Sequence, residues 1–468
     1  MARKYKNLLF FGIDSLRRDH MSLYGYNRLT TPHLSKYLED GVVFNKCFSP
    51  SIPTSSGYSS MLTGLDCFST DVVALRHQGD YAPNVKTLAE ILGGAGYNTS
   101  CVGFTKNVAS RGFQKYIDFN GWMPDTPDNR AHKAENLNTA ALPELERLAK
   151  QDKPFFLFLR HMDPHAPYLP PEPFHKLFYQ GNEYDKKNKS LHPVYEFKPF
   201  KDFFLSWFPV GVTDADYIIA CYDAAVAYMD CTMANIYRKL ADLGIEEETL
   251  VVFTSDHGET LYDHNCFFDH HSMYEPTLVV PFAFRLKGGG YEGIRFDDIC
   301  QVKDIAPTVL DILGIKTGIK FDGRNLMKLV KGGTIKQECE FYITECTWMR
   351  KHGWRTPEWK LIVALEPDFH YLPEVELYNL ILDPLEQNNV ASKEPDVAAF
   401  LKKRMLAHIA RREKETGRKN PMYGNENWSG AGHYFTSSDE AYNTLHIGDT
   451  ANAIKLQEKL KEMGVKVK

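Results

Sequence analysis

Residues 7–14, with the sequence NLLFFGID, decide the fold of this chain. Asn7–Ile13 is a continuous apolar run of strand length that leads directly into Asp14. A strand without polar alternation is buried on both faces, as in a parallel sheet covered by helices. Because open α/β sheets place their sites beyond the carboxyl ends of the strands, Asp14 is a candidate functional residue.

Two further apolar runs lead into polar residues in the same way. Residues 154–160 (PFFLFLR) precede a loop rich in histidine and proline, HMDPHAPY, and residues 249–254 precede the segment SDHGE. Helical patterns and short strand-like runs separate them, at residues 31–40, 41–44, 83–96, 97–104, 136–150 and 214–243. This alternation predicts an α/β fold with a doubly wound, mostly parallel central sheet flanked by helices.

The pattern changes at about residue 338. Short strand-like segments at residues 341–344, 359–364 and 375–378 predict a small antiparallel sheet, and residues 396–414 predict a helix. We therefore divide the chain into a large α/β domain (1–337), a smaller C-terminal α+β subdomain (338–415) and a tail (416–468). The tail carries an amphipathic helical pattern at residues 452–463 and is either an arm that packs on a neighbouring subunit in a homo-oligomer or a surface appendage.

The composition is that of an ordinary folded protein, with 43% hydrophobic and 25% charged residues and a net charge of −5. That charge gives no electrostatic reason to expect binding to nucleic acid or to an anionic membrane. The apolar run Leu8–Ile13 is too short for a signal peptide, and the sequence has no run of about 18 apolar residues for a membrane-spanning helix. Nine cysteines at irregular spacing predict neither a disulfide framework nor a metal site. We expect a cytoplasmic protein without a membrane or nucleic-acid partner.

A hydroxyl-rich stretch, SIPTSSGYSSMLTG, occupies residues 51–64 and indicates a loop that passes into a helix. Asp14 and the pair Asp256 and His257 are expected to meet at one edge of the sheet. Two carboxylates and an imidazole there form a hard, oxygen-rich site that suits Mn²⁺, Mg²⁺, Ca²⁺ or Zn²⁺. Taken singly, such residues also cap helices or satisfy hydrogen bonds in a core.

The order of the motifs resembles the sulfatase branch of the alkaline phosphatase superfamily, from about residue 5 to residue 392. The matching segments, in the order of the family, are NLLFFGIDSLRRDHMSLYGY, TPHLSKYLEDGVVF, SIPTSSGYSSMLTG, PNVKTLAEILGGAGYNT, DPHAPY, TSDHGE, DHHSMYEPTLVVPF and ELYNLILDPLEQNNVA. Each is weak alone, but eight in the same order are specific. The resemblance implies an alkaline-phosphatase-like fold and an enzyme that acts on small anionic esters.

Thr54 falls, counted back from Leu62-Thr63-Gly64, where sulfatases carry the cysteine or serine that is converted to formylglycine. That conversion needs a context similar to Cys-x-Pro-x-Arg, whereas this chain has Thr54-Ser55-Ser56-Gly57-Tyr58. No formylglycine is therefore expected. Phosphodiesterases, phosphonate hydrolases and phosphotransferases of the superfamily use a plain threonine or serine nucleophile, and Thr54 resembles theirs.

The resemblance also implies one divalent metal ion, held by Asp14, Thr54, Asp256 and His257. Ordinary sulfatases have two adjacent aspartates in their first motif, whereas here Asp14 is followed by Ser15. The remaining set is similar to the single-metal arrangement of phosphonate monoester hydrolases and related transferases.

Lys106, His165 and His270 are the candidate groups that stabilise charge on the transferred group. The family motif Gly-Lys-x-His is replaced by Gly103-Phe104-Thr105-Lys106, and a downstream substrate lysine is replaced by His270. Because histidine titrates near neutrality, His165 or His270 is also a candidate to protonate the leaving oxygen.

Three further histidines, His161, His264 and His271, lie beside these motifs. The segment DHNCFFDHH, which contains two of them, either holds a second metal ion or supplies hydrogen-bonding supports.

The leading hypothesis is a metal-dependent hydrolase of phosphate or phosphonate mono- or diesters, which works through a covalent Thr54 intermediate. The alternatives are an arylsulfatase-like sulfuric ester hydrolase without formylglycine, a phosphotransferase and a non-catalytic binding protein. Retention of Asp14, Asp256 and His257 disfavours the last, because an inactive site has no need of buried charges.

Overall fold

The computed structural model describes residues 5–75, 77, 79–103, 107–122, 130–197, 208–347, 350–368 and 370–424. Lys106 and the helix expected at residues 452–463 lie outside these residues. Across the described part of the chain, every helix is too short or too polar to cross a membrane.

The described strands are β1 (Asn7–Ile13), β2 (Gly41–Phe48), β3 (Ser51–Ile52), β4 (Asn98–Val102), β5 (Lys115–Ile117), β6 (Phe155–His161), β7 (Thr249–Ser255), β8 (Thr260–Asp263), β9 (Cys266–Asp269), β10 (Val279–Arg285), β11 (Ile294–Gln301), β12 (Phe341–Glu345), β13 (Lys351–Arg355), β14 (Trp359–Ala364) and β15 (Val375–Asn379).

The described α-helices are α1 (Pro32–Tyr37), α2 (Thr54–Thr63), α3 (Cys67–Thr70), α4 (Leu88–Gly94), α5 (Lys133–Ala149), α6 (His192–Glu196), α7 (Ala215–Asp242), α8 (Glu275–Leu278), α9 (Ile305–Ile312), α10 (Met327–Val330), α11 (Pro395–Thr416) and α12 (Pro421–Gly424). Short 3₁₀ turns at residues 18–20, 22–24, 38–40, 108–110, 174–176, 246–248 and 302–304 complete the described helical structure.

The large sheet has eight strands in the order β11-β2-β10-β7-β1-β6-β4-β5. Strand β10 runs antiparallel to both its neighbours, and all the other neighbouring pairs are parallel. The connection from β7 to β10 carries a hairpin and a one-turn helix in place of a crossover helix, which explains the reversed direction. The prediction of a mostly parallel sheet is confirmed.

Helices cover both faces of this sheet. Strands β1, β6 and β7 are buried along their whole length, as their apolar sequences predict. One core contains apolar residues of α5 and α7, such as Leu145 and Met229, and a second contains residues of α2, α4 and α9, such as Met61 and Val309. The doubly wound arrangement is therefore confirmed.

Helix α4 begins later than the sequence pattern at residues 83–96 suggests. Its first residue is Leu88, because the Thr87 side chain accepts a hydrogen bond from the backbone of Glu90 while the Glu90 side chain accepts one from the backbone of Thr87. This capping box fixes the start of the helix.

The smaller sheet has the order β15-β14-β13-β12-β3 and is antiparallel except where β12 pairs with β3. Strand β3 is the beginning of the hydroxyl-rich stretch, so the C-terminal sheet holds the segment that carries Thr54. Strand β13 was not predicted. The domain boundaries at 337/338 and 415/416 stay predictions.

Candidate active site

Strands β1 and β7 bring the acidic candidates together. They are parallel neighbours, with Ile13 opposite Ser255, so Asp14 and Asp256 follow directly at the same edge of the sheet. Asp14, Asp256 and His257 are completely buried. Their ligand atoms lie within 4.8 Å of one another.

Thr54 is the first residue of α2, which points its N-terminus at this edge. Its Oγ1 lies 3.1 Å from Nε2 of His257. Gly57, one turn into the helix, permits the close approach, because a Cβ there would stand 2.4 Å from the carbonyl oxygen of Asp256. Thr54 thus lies beside Asp256 and His257, as its proposed role requires.

The donor set fits a hard divalent cation. Oδ1 of Asp256 accepts hydrogen bonds from the backbone N–H groups of Ser15 and His257, but its buried Oδ2 has no hydrogen-bond partner among the described residues. Nδ1 of His257 lies 2.8 Å from the carbonyl oxygen of Gly258, so Nδ1 carries the proton and the Nε2 lone pair faces Thr54. Asp14, Asp256, His257 and Thr54 would hold the ion.

Two opposite electrostatic effects act on the carboxylates. Burial raises the pKa of Asp256 well above its usual range, and the nearby charge of Asp14 adds to this. Burial also favours a raised pKa for Asp14, but the charge of Arg160 and of nearby histidines outweighs it and holds the pKa of Asp14 well below its usual value. A cation at this site would stabilise the ionised form of Asp256 and so oppose the effect of burial on its pKa.

Arg160, the penultimate residue of β6, is a site residue that sequence reasoning missed. Its Nε donates to Oδ2 of Asp14 at 3.0 Å, and its Nη2 donates to the same oxygen. The guanidinium lies 5.9 Å from the ring centre of Tyr58 and 5.7 Å from that of Trp122. The arginine at the end of PFFLFLR was the available signal, because a charge at the end of a buried strand needs a partner.

His270 stacks on His257 with ring centres 4.5 Å apart. Its Nδ1 lies 3.0 Å from Oδ1 of Asp269. Burial opposes a charge on His270, but Asp269, and to a smaller extent Glu259, outweigh it and raise the pKa of His270 to about 10. His270 is therefore protonated near pH 7 and places a positive charge beside His257.

His165 completes this side of the site, 5.6 Å from His270 between ring centres. Its Nδ1 lies 2.7 Å from the carbonyl oxygen of Ala166, and burial lowers the pKa of His165 to about 4. The ring is therefore neutral near pH 7.

Lys133, at the start of α5, was also missed and supports the loop of His165. It is buried, and its Nζ donates to the carbonyl oxygens of His165 and Pro167 at 2.7 and 2.9 Å. Its carboxylate neighbour, Asp163, accepts a hydrogen bond from the backbone N–H of Ala134. The predicted segment DPHAPY is thus fixed from the side of α5.

The remaining histidines differ in their surroundings. Nε2 of His271 lies 3.1 Å from Oδ1 of Asp269, and His264 stacks on Tyr274 with ring centres 3.6 Å apart. The nitrogens of His161 have no hydrogen-bond partner among the described residues, and burial lowers the pKa of His161 to about 3. His161 is therefore a core residue.

A second group of ligand-type residues, Glu259, Asp269 and His270, adjoins the first. Among the described residues the segment DHNCFFDHH thus contributes Asp269 and His270 to it, while His264 and His271 do not take part. Glu259 was quoted in the motif TSDHGE but was not predicted as a site residue.

Known proteins share this architecture. Residues 6–315 match the family model described as sulfatase, and residues 263–413 match the one described as N-sulphoglucosamine sulphohydrolase, C-terminal. An N-acetylglucosamine-6-O-sulfatase of Bacteroides thetaiotaomicron is 23% identical over 474 residues, which cover 83% of each protein. Arylsulfatase K of Rattus norvegicus is 26% identical over 373 residues, 70% of this chain and 64% of the rat protein.

A solved structure agrees. The phosphonate monoester hydrolase of Agrobacterium radiobacter aligns with a TM-score of 0.68 at 20% identity, over 87% of this chain and 96% of that one, and so has the same fold. The match at residues 6–315 covers well over half of the chain. This chain belongs to the sulfatase family.

Proposed function

We propose that this sulfatase-family hydrolase cleaves phosphate or phosphonate mono- or diesters through a covalent adduct on Thr54, with one divalent cation as cofactor. The observation that carries the proposal is the position of the Thr54 hydroxyl, 3.1 Å from Nε2 of His257 and beside two buried carboxylates. This position supports the assignment of the hydroxyl as the nucleophile that attacks an anionic ester.

A bound divalent cation would supply Lewis acidity, which lowers the pKa of a nearby hydroxyl and offsets charge on the transferred group. Oγ1 of Thr54 loses its proton to a solvent water and attacks the phosphorus, and the bond from phosphorus to the leaving oxygen breaks. His270 is the group that stabilises charge on the phosphoryl oxygens and gives a proton to the leaving oxygen. Water then attacks the phosphorus and gives a proton to His270, the bond from phosphorus to Oγ1 of Thr54 breaks, and Oγ1 takes up a proton from solvent.

The identity of residue 54 favours phosphorus over sulfur as the target. Threonine in the context Thr54-Ser55-Ser56-Gly57-Tyr58 lacks the cysteine, proline and arginine associated with formylglycine. By resemblance, the phosphoryl-transfer enzymes of the superfamily use an unmodified hydroxyl as their nucleophile, and Thr54 is similar to theirs. Lys106 stays a proposed contributor of charge.

A sulfate-ester hydrolase is the second candidate, and the named relatives favour it. The two aligned relatives are an N-acetylglucosamine-6-O-sulfatase and an arylsulfatase, and neither name refers to phosphate. Under this alternative the same Thr54 would carry a sulfuryl group, and an aryl or sugar sulfate would be the substrate.

Phosphoryl transfer to an alcohol requires only that an alcohol replace water in the second step.

The test is an assay of the protein with Mn²⁺, Mg²⁺, Ca²⁺ or Zn²⁺ on aryl phosphate, phosphodiester, phosphonate and sulfate substrates that share one leaving group. We expect turnover of a phosphorus ester, and mass spectrometry of rapidly quenched protein should locate the adduct on Thr54. Turnover of sulfate alone would establish the second candidate. An adduct on Ser51, Ser55 or Ser56 would contradict the assignment of the nucleophile, and no turnover of any ester would favour a binding protein.

A further inference from the structure

Trp122 is a large apolar side chain that lies exposed beside the candidate active site. Of the tryptophans that the structure describes, Trp354 is buried, Trp359 is half-buried against the core of the C-terminal sheet, and Trp122 is 54% exposed. An exposed indole keeps a large apolar area in contact with water, and covering that area with an apolar group of a ligand is favourable. The surroundings of this ring therefore indicate what kind of ligand group it contacts.

The main chain that leads to Trp122 is held in place by packing. The side-chain amide of Asn136, in α5, donates to the carbonyl oxygen of Asn120 at 3.0 Å. Gly121 is buried, and a Cβ there would stand 2.8 Å from Cγ of Met162, the residue that follows β6. A larger residue would push the two segments apart. Trp122 is therefore carried on a packed segment and offers a preorganised contact surface.

Two neighbours orient the ring of Trp122. Cζ of Arg160 lies 5.7 Å from the ring centre, within the range of a cation–π contact, and Arg160 is itself fixed by its ion pair with Asp14. The ring of His165 meets the indole at an interplanar angle of 81°, with ring centres 5.3 Å apart. This edge-to-face arrangement is a favourable geometry for two aromatic rings. Both contacts hold the indole, and more than half of the residue still faces solvent.

A row of rings leads from the proposed nucleophile to Trp122. Oγ1 of Thr54 lies 3.1 Å from Nε2 of His257. His257 stacks on His270 with ring centres 4.5 Å apart, and His270 is 5.6 Å from His165. In a phosphoryl transfer the leaving oxygen lies roughly in line with the attacking one, on the side away from it. A leaving group whose oxygen is protonated by His270 therefore has the exposed indole as the next surface along this row.

We propose that Trp122 forms a leaving-group subsite, which makes the enzyme prefer esters whose leaving group carries a ring, an aryl group or a sugar, over esters of open-chain alcohols. The inference rests on the proposed function, because it concerns the leaving group of the ester that is cleaved there. A ring with an apolar face covers a large part of the exposed indole. A short open chain covers less of it and loses more conformational freedom when it is immobilised there.

The test measures binding to the protein in the presence of Mn²⁺ by titration calorimetry, for the wild-type protein, Trp122→Ala and Trp122→Phe. The ligands are phenylphosphonate, cyclohexylphosphonate and ethylphosphonate, which carry the same charge and differ in the group attached to phosphorus. For Trp122→Ala we expect the dissociation constant of a ring compound to rise by about fivefold or more relative to that of ethylphosphonate. Trp122→Phe keeps an aromatic surface and should retain most of the preference.

The two ring compounds separate the two kinds of leaving group. A loss confined to phenylphosphonate assigns the subsite to aryl groups, and a loss on cyclohexylphosphonate as well extends it to saturated rings such as sugars. Leu382→Ala is the control, because it removes an apolar side chain that is 83% exposed on the turn after β15. It should leave all three dissociation constants unchanged.

A second measurement follows the reaction itself. The ratio of kcat/KM for phenyl phosphate to that for trifluoroethyl phosphate should fall in Trp122→Ala by about fivefold or more. The intrinsic difference between the two leaving groups cancels when the ratio of the variant is divided by that of the wild-type protein. A variant that is merely less stable or less active would lose activity on both esters equally.

The outcomes distinguish this inference from the proposed function. Equal changes on the ring and open-chain ligands in Trp122→Ala, or no measurable binding of phenylphosphonate to the wild-type protein, would overturn the inference and leave phosphorus-ester hydrolysis intact. Turnover of sulfate alone by the wild-type protein would reject the proposed function. The same comparison with phenyl-, cyclohexyl- and ethylsulfonate would then decide the role of Trp122 by the same ratio.

Discussion

Oγ1 of Thr54 lies 3.1 Å from Nε2 of His257, although 203 residues separate the two in sequence. Two different sheets produce this contact. Strand β3 pairs with β12 of the C-terminal sheet two residues before Thr54, and β7 of the large sheet ends two residues before His257. The proposed nucleophile is therefore held from the C-terminal sheet, and the proposed metal ligands are held from the large one.

Thr54→Ala is expected to reduce turnover by about 10³-fold or more, because the variant has no hydroxyl to form the adduct. Thr54→Ser retains a hydroxyl and should keep part of the activity. Steady-state kinetics on the best phosphorus ester measures both, with circular dichroism to check the fold.

A matched control for this experiment is Ser56→Ala, which removes a buried hydroxyl two residues further along α2 that donates to the carbonyl oxygen of Val72. It should remain active. Full activity of Thr54→Ala, or an equal loss in Ser56→Ala, would contradict the assignment.

Asp256→Asn should weaken the binding of a divalent cation, because it removes one of two buried carboxylate charges from the donor set. Removing an outer-shell partner of a metal ligand typically costs about 10–100-fold in affinity, so loss of a ligand should cost at least about 100-fold. Titration calorimetry with Mn²⁺ measures this without reference to activity.

Glu259→Gln is the control for the number of ions. A single cation at Asp14, Thr54, Asp256 and His257 predicts a stoichiometry of one, which Glu259→Gln should leave unchanged. A stoichiometry of two that falls to one in Glu259→Gln would instead establish a second cation at Glu259, Asp269 and His270.

The sequence predicts those parts of the molecule where one local pattern decides the outcome. The apolar runs of β1, β6 and β7 and the polar residues that follow them predict the sheet and the meeting of Asp14 with Asp256. Strand β13 was missed because its sequence, KHGWR, is polar although all five residues are buried. Lys351 forms an ion pair with Asp368, and Arg355 forms one with Glu275. These tertiary contacts compensate for the burial of the two charges of the strand.

Arg160 and Lys133 were missed for a similar reason. Arg160 acts on Asp14 from the neighbouring strand, and Lys133 bonds to main-chain carbonyl oxygens of a loop more than 30 residues away. No spacing along the chain encodes such contacts.

Gly57→Ala should destabilise the protein and lower its activity. The new Cβ would meet the carbonyl oxygen of Asp256 at 2.4 Å, so α2 must move away from the end of β7. Overpacking of this kind costs about 1–3 kcal/mol. Gly94→Ala is the control, because a Cβ there meets nothing within 4 Å. Urea unfolding and kinetics should show losses in Gly57→Ala alone, and equal behaviour of the two variants would contradict the close approach.

Glu144 should contribute stability that depends on pH. Its side chain is buried, which raises its pKa, but hydrogen bonds from Arg147, Lys115 and Ser100 outweigh burial and lower the pKa to about 2. A folded pKa below the unfolded value means that the contribution is complete above about pH 4.5 and is lost as the pH falls towards 2. Glu144→Gln should therefore lower the free energy of unfolding by about 1–3 kcal/mol at pH 7 and by less at pH 3.

The control for this experiment is Glu146→Gln, on the same helix. Glu146 pairs with Lys150 and Lys239 on the surface, where ion pairs contribute little. Urea unfolding at pH 7 and pH 3 measures both variants. A loss in Glu144→Gln that is the same at both pH values would contradict the assignment of the effect to its ionisation.

Lys133→Met should disturb catalysis through His165 while leaving the nucleophile intact. The buried Nζ fixes the carbonyl oxygens of His165 and Pro167, and methionine fills the space but cannot donate. Because these two carbonyl oxygens would then lack a donor, the free energy of unfolding should fall by about 1–3 kcal/mol. His165 should also be held less firmly in its position. We expect a lower kcat on the best phosphorus ester, a changed pH profile and an unchanged Mn²⁺ affinity. Lys133→Arg, which can still donate, should restore part of the kcat, and a variant that loses stability with kcat and the pH profile unchanged would show that Lys133 serves the fold alone.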